Sequence, residues 1–111
     1  MGSRLPAHLE VSGIMRLAQA EGGFATVISQ GEKDAGTILL LTLQRGGNAR
    51  LWERMPQLDG ARNFEVTASE DIENPSKIQD YIARRSAQDR DCWIVELDID
   101  EADRFVASLP G

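Results

Sequence analysis

The run Thr37–Leu43, TILLLTL, constrains this chain more than any other segment. As a strand it would place Ile38 and Leu40 on one face and Leu39, Leu41 and Leu43 on the other. A strand with one wet face alternates apolar and polar residues. This one is apolar on both faces, so it is expected at the centre of a sheet covered on both sides. Two further strand-like runs flank it, Phe24–Gln30 and Arg50–Met55. The breaks Gly31–Gly36 and Arg45–Asn48 separate the three. Strand runs joined by Gly-bearing turns read as an antiparallel meander.

The rest of the chain completes an α+β pattern. Leu9–Glu21 carries Val11, Ile14, Met15 and Ala18 at the i, i+3, i+4, i+7 spacing of an amphipathic helix, and Gly22-Gly23 ends it. Gly13 inside that helix costs about 1 kcal/mol against Ala or marks a close contact. Leu58-Asp59-Gly60 signals a turn. Asn63–Ala68 alternates, with Phe64, Val66 and Ala68 assigned to one face of a fourth strand. Asn74 is expected to cap a second helix with Pro75 at its first position and an Ile78, Tyr81, Ile82 stripe, ending near Gln88. Asp91–Leu97 is a fifth strand. Asp98 with Glu101 resembles a capping box for a third helix striped by Ala102, Phe105, Val106 and Leu109, before Pro110-Gly111 ends the chain. The expected order is α-β-β-β-β-α-β-α. It predicts a single domain over residues 1–111, with a mostly antiparallel five-stranded sheet packed against helices.

A chain of 111 residues fits one domain, and 41% hydrophobic content with only 5% aromatic implies a mainly aliphatic core. The net charge of −6 argues against general nucleic-acid binding, which rests on Lys and Arg meeting phosphates, and against adhesion to anionic lipid. One cysteine, Cys92, excludes an internal disulfide and any multi-cysteine zinc site. No run approaches the roughly 20 apolar residues of a membrane span. The N-terminal MGSRLPAHLE has no hydrophobic signal core, so a cytoplasmic location is expected.

Few residues suggest chemistry. His8 is the only histidine and has no relay partner near it in sequence. Cys92 sits on a strand beside Asp91, where a thiolate is disfavoured and a buried structural role expected. The acidic DIDEAD segment departs from the Ca²⁺ loop pattern, with Asp103 where Gly is needed. Helix-start acids account for it without a metal. The glycine-bearing GGFATVISQGEKDAG matches no phosphate-binding loop and reads as turn chemistry. No catalytic residue, cofactor or metal is expected. One pattern points to a ligand. Arg50, Trp52 and Arg54 alternate on one strand and project from one face, with Arg62 on an adjoining strand end. Such a face would stack a base or hold an anion. The favoured reading is a core Trp with arginines that snorkel or pair with Glu53, Glu65 or Glu96, and a third is a subunit interface.

GGFATVISQGEKDAGTILL (Gly22 to Leu40), with RLWERM, Trp93–Glu96 and Ala102–Phe105, resembles a family of short, uncharacterised bacterial proteins, mainly alphaproteobacterial. That resemblance implies a stand-alone bacterial cytosolic domain and carries no activity, cofactor or site residue. The doubly apolar strand, with few helices to cover it, leads to a non-catalytic interaction module, expected as a homodimer and open to a protein partner. The alternative is a small-anion or nucleotide-binding domain using Arg50, Trp52, Arg54 and Arg62.

Overall fold

The elements follow the order read from the sequence: α1 (Ala7–Ala20), β1 (Phe24–Ser29), β2 (Ile38–Gln44), β3 (Gly47–Pro56), β4 (Arg62–Ser69), α2 (Lys77–Gln88), β5 (Trp93–Asp98) and α3 (Ala102–Ala107). The computed structural model describes residues 5–56, 58 and 62–109, with only the backbone of Pro56 and Arg62. The turn assigned to Leu58-Asp59-Gly60 and the chain end at Pro110-Gly111 therefore lie outside the described residues.

The strands form one sheet ordered β1-β5-β2-β3-β4. As expected, β2 is central, and Leu39 and Leu40 on its opposite faces are both fully buried. One expectation is corrected. The first three strands are not a meander, because β5 inserts between β1 and β2. The sheet is mostly antiparallel, as expected, through β1·β5, β2·β3 and β3·β4, and it is mixed because β2·β5 is parallel. The cause is α2. Two antiparallel steps, β2 to β3 and β3 to β4, leave β4 running with β2. A helix after β4 then carries the chain back over the sheet, so β5 enters in the same direction as β2.

Helices cover both faces. On one, α1 and α3 enclose Ile38, Leu40, Trp52, Trp93, Val95 and Leu97. On the other, α2 lays Ile78 and Ile82 over Leu39, Leu41, Leu51, Ala68 and Ile94. Ala68 does not share a face with Phe64 and Val66. A bulge shifts the β3·β4 register between Leu51 and Trp52, and Ala68 turns to the α2 side.

Local signals are used in unexpected ways. The β2–β3 hairpin turns through Arg45 (φ 52°) and Gly46 (φ 80°), the doubly left-handed geometry of a tight two-residue loop. Asp98 does not cap α3. Its carboxylate accepts the backbone N–H groups of Arg45 (2.8 Å) and Gly46 (3.0 Å) instead. Asn74 and Pro75 open a turn, and α2 begins beyond it, with Ser76 as the residue before the first turn. At α1, the N–H groups of Ala7 and His8 donate to the Asp34 and Lys33 carbonyls at 2.9 Å, so the β1–β2 loop replaces a side-chain cap. That loop is seated on β5: Glu32 N–H donates to Asp91 O (2.9 Å), and the Trp93 indole N–H donates to Glu32 O (2.7 Å). Gly31 and Gly36 permit this approach. A Cβ at Gly31 would stand 2.6 Å from the Cys92 carbonyl carbon, and one at Gly36 2.7 Å from Glu32 O.

Candidate functional site

The β3 residues singled out in the sequence do share a face, and that face is the floor under α1 and α3. Trp52 is only 8% exposed, and its indole N–H donates to Thr42 Oγ1 at 2.8 Å. Arg50 lies 5.2 Å from the Trp52 ring centroid and forms an ion pair with Asp103 of α3. Arg54 stacks 4.6 Å over Phe64 and holds Glu10 of α1 through both guanidinium nitrogens, one contact at 3.1 Å. The helices supply these carboxylates, Asp103 and Glu10, while Glu53 pairs with Arg85. Glu65 stands beside Glu53 across β3·β4, and Glu96 beside Leu41 across β2·β5. Arg62 begins β4, paired through its backbone with Pro56. Its side chain lies outside the described residues. Beside Arg54 opens a cleft of ≈ 380 Å³ that also touches Glu10, Asp34, Thr37 and Ile38. Among the described residues its wall carries two carboxylates and one guanidinium, without the positive excess an anion site uses.

The opposite face holds a polar cluster that the sequence did not announce. Glu53, 8% exposed, accepts hydrogen bonds from Tyr81 Oη, from Thr67 Oγ1 (2.8 Å) and from Arg85 Nε (3.0 Å). Burial pushes the Glu53 carboxyl up. The donated hydrogen bonds and the Arg85 charge outweigh that and hold it below the usual carboxylate range. Burial first, then the bond to Glu53, raises the Tyr81 hydroxyl. The same carboxylate keeps Arg85 charged against its own burial. This cluster pins α2 to β3 and β4. Burial and then Asp89 push the nearby Cys92 thiol up, which disfavours its thiolate. The one signal available in sequence was Tyr81 and Arg85, spaced i, i+4 on one helix.

The remaining candidates are placed plainly. His8 Nδ1 lies 3.0 Å from Lys33 O at the α1 start. The acids of DIDEAD are dispersed: Asp98 to the hairpin, Asp100 to Arg45, Glu101 to Arg104 and Asp103 to Arg50. Among the described residues no group of three His, Cys, Asp or Glu side chains is arranged to hold a metal, and no helix is long and apolar enough to cross a membrane.

What the fold leaves open is a strand edge. Among the described residues β1 ends the sheet and pairs with β5 alone. Its sequence, FATVIS, contains no charge and no proline, and Phe24, Val27 and Ile28 are exposed. The other edge, β4, carries Arg62 and Glu65. Charged side chains are the usual protection of an edge against pairing with another chain.

Three solved structures share this architecture. The crystal structure of a DUF1491 family protein from Caulobacter crescentus CB15 matches with a TM-score of 0.81 at 30% identity, over 96% of this chain and 98% of that one. An NMR structure of a DUF1491 family protein from the same organism matches at 0.77 and 31%, over 98% and 97%. The solution structure of a protein from A. tumefaciens matches at 0.77 and 29%, over 98% of both chains. None of the curated proteins matches. The family described as "Protein of unknown function (DUF1491)" matches residues 5–107, nearly the whole chain and all of the Gly22–Leu40 segment. The chain belongs to the DUF1491 family.

Proposed function

We propose that the protein is a non-catalytic interaction module of the bacterial cytoplasm that assembles as a homodimer through β1. The observation that carries this reading is the uncharged β1 edge with its exposed Phe24, Val27 and Ile28, against a charged β4 at the opposite edge. Two antiparallel copies of FATVIS pair about a two-fold axis and satisfy each other's outward N–H and C=O groups, making one sheet continuous across both subunits. The bacterial sources of the similar structures and the single buried cysteine support the cytoplasmic assignment.

Sedimentation equilibrium at several concentrations tests it. The expected result is a dimer that Ile28→Lys converts to monomer without loss of folded signal. Ile28 is 47% exposed, so the lysine head reaches water in the monomer. A wild-type chain that stays monomeric at about 100 μM refutes the reading. A second reading, small-anion or nucleotide binding by Arg50, Trp52, Arg54 and Arg62, has the cleft beside Arg54 in its favour. It requires the anion to displace Glu10 from that guanidinium.

A further inference from the structure

The two faces of the sheet are covered unequally. α1 and α3 together pack over β1, β5 and β2 on their side, whereas α2 packs mainly on β3 and β4 and meets β2 and β5 at Leu39, Leu41 and Ile94. On the α2 side the register sets Leu43 beside Asp98 and Asp98 beside Phe24, and in the next row Leu41 beside Glu96 and Glu96 beside Thr26. Phe24 there is 77% exposed, and Ile72, on the loop leading to α2, is 93% exposed. Between that loop and β5 runs an open groove of ≈ 410 Å³. Its floor includes Leu41, Leu43 and Ile78, and its rim carries Glu70, Asp71 and Glu96. Among the described residues that line it, none is basic.

We propose that this groove docks a basic amphipathic helix of another protein, laid beside α2 with its apolar stripe on Leu43 and Ile72 and its Lys or Arg residues against Glu70, Asp71 and Glu96. An apolar floor between carboxylates is complementary to an apolar stripe flanked by cations. A helix in this position supplies the element that would complete the layer over β5 and β1. A second copy docked face to face would set its own acidic rim against this one, which like-charge repulsion opposes. The proposal uses a sheet face, not the β1 edge, and does not rest on the homodimer.

The test is a titration of ¹⁵N-labelled protein with a synthetic Leu/Lys peptide of about four helical turns, Leu at i, i+3, i+4 and i+7, against a scrambled peptide of identical composition. The patterned peptide is expected to saturate and to shift the amides of Leu41, Leu43, Glu70, Ile72 and Glu96. Glu96→Gln and Ile72→Ser are each expected to weaken it by about fivefold or more. Ile72 is solvent-facing, so its variant retains the fold. Equal binding of the scrambled peptide overturns the proposal, because charge alone then suffices. Shifts centred elsewhere, such as on the exposed Leu9 and Leu17 of α1, overturn it too. So does movement of the groove amides with protein concentration alone, which assigns the face to a second copy.

Discussion

Gly31 and Gly13 should respond to alanine with opposite signs. At Gly31 the new methyl would stand 2.6 Å from the Cys92 carbonyl carbon and 2.7 Å from Trp93 Cδ1, both in buried residues at the start of β5. Neither is the free end of a flexible chain, so the β1–β2 loop must move. Movement stretches the Glu32 N–H bond to Asp91 O and the Trp93 indole bond to Glu32 O. Two hydrogen bonds at about 1 kcal/mol each, or overpacking at about 1–3 kcal/mol, set the cost. The smaller entropy of the unfolded Ala chain returns about 0.4–1 kcal/mol. The net expectation is a loss of about 1–1.5 kcal/mol, a fall in melting temperature of about 4–12 °C for a domain near this size. Gly13 lies within α1 with nothing inside 4 Å of the added carbon, so Gly13→Ala should gain up to about 1 kcal/mol from helix propensity. Urea unfolding followed by far-UV circular dichroism measures both. A Gly31→Ala midpoint indistinguishable from wild type would show that the loop is not seated on β5, and the steric argument would be wrong.

The Glu53 cluster and the tryptophans offer two further tests. The folded Glu53 carboxyl lies below its ordinary 4.5, so its stabilisation is fully present above that pH and is lost as pH falls through the lower folded value. Glu53→Gln should therefore cost about 1–3 kcal/mol at neutral pH and flatten the acid limb of the urea midpoint against pH. An unchanged acid limb refutes the assignment. Trp52 and Trp93 are 8% and 5% exposed, so iodide should quench the native emission weakly, and phosphate should leave it unchanged. A saturable phosphate response lost in an Arg50→Ala/Arg54→Ala double variant would restore the anion-binding reading.

Local pattern carried the elements, and long-range pairing decided what they do. The doubly apolar TILLLTL announced a central strand because periodicity needs only neighbours in sequence. The position of β5 was hidden, since it depends on where α2 returns the chain, and no local residue encodes that. The Arg50, Trp52, Arg54 alternation was legible, but its cover was not: Glu10 lies 44 residues from Arg54 in sequence. Ala68 was assigned to the wrong face because a bulge changes the parity of everything beyond it. Gly31 and Gly36 looked like turn glycines, yet neither has the positive φ that would mark one. Their reason is the backbone of Asp91 and Cys92 leading into β5 and the Trp93 ring at its start, some sixty residues away in the chain. Asp98 carries the composition of a helix cap and spends its carboxylate on a hairpin.

The insertion of β5 between β1 and β2 has a temporal side. A ribosome releases β1 and β2 before β5, but these two strands share no ladder, and the strand that joins them follows β3, β4 and α2 in the chain. Until residues 93–98 emerge, β2, β3 and β4 can form a ribbon, while β1 and α1 have no sheet to complete. The hairpin at Arg45-Gly46 likewise waits for Asp98 to receive its two N–H groups. Closure of the five-stranded sheet thereby waits for β5, and a chain cut short before it loses both the β1·β5 and the β2·β5 ladders and keeps at most the β2-β3-β4 ribbon.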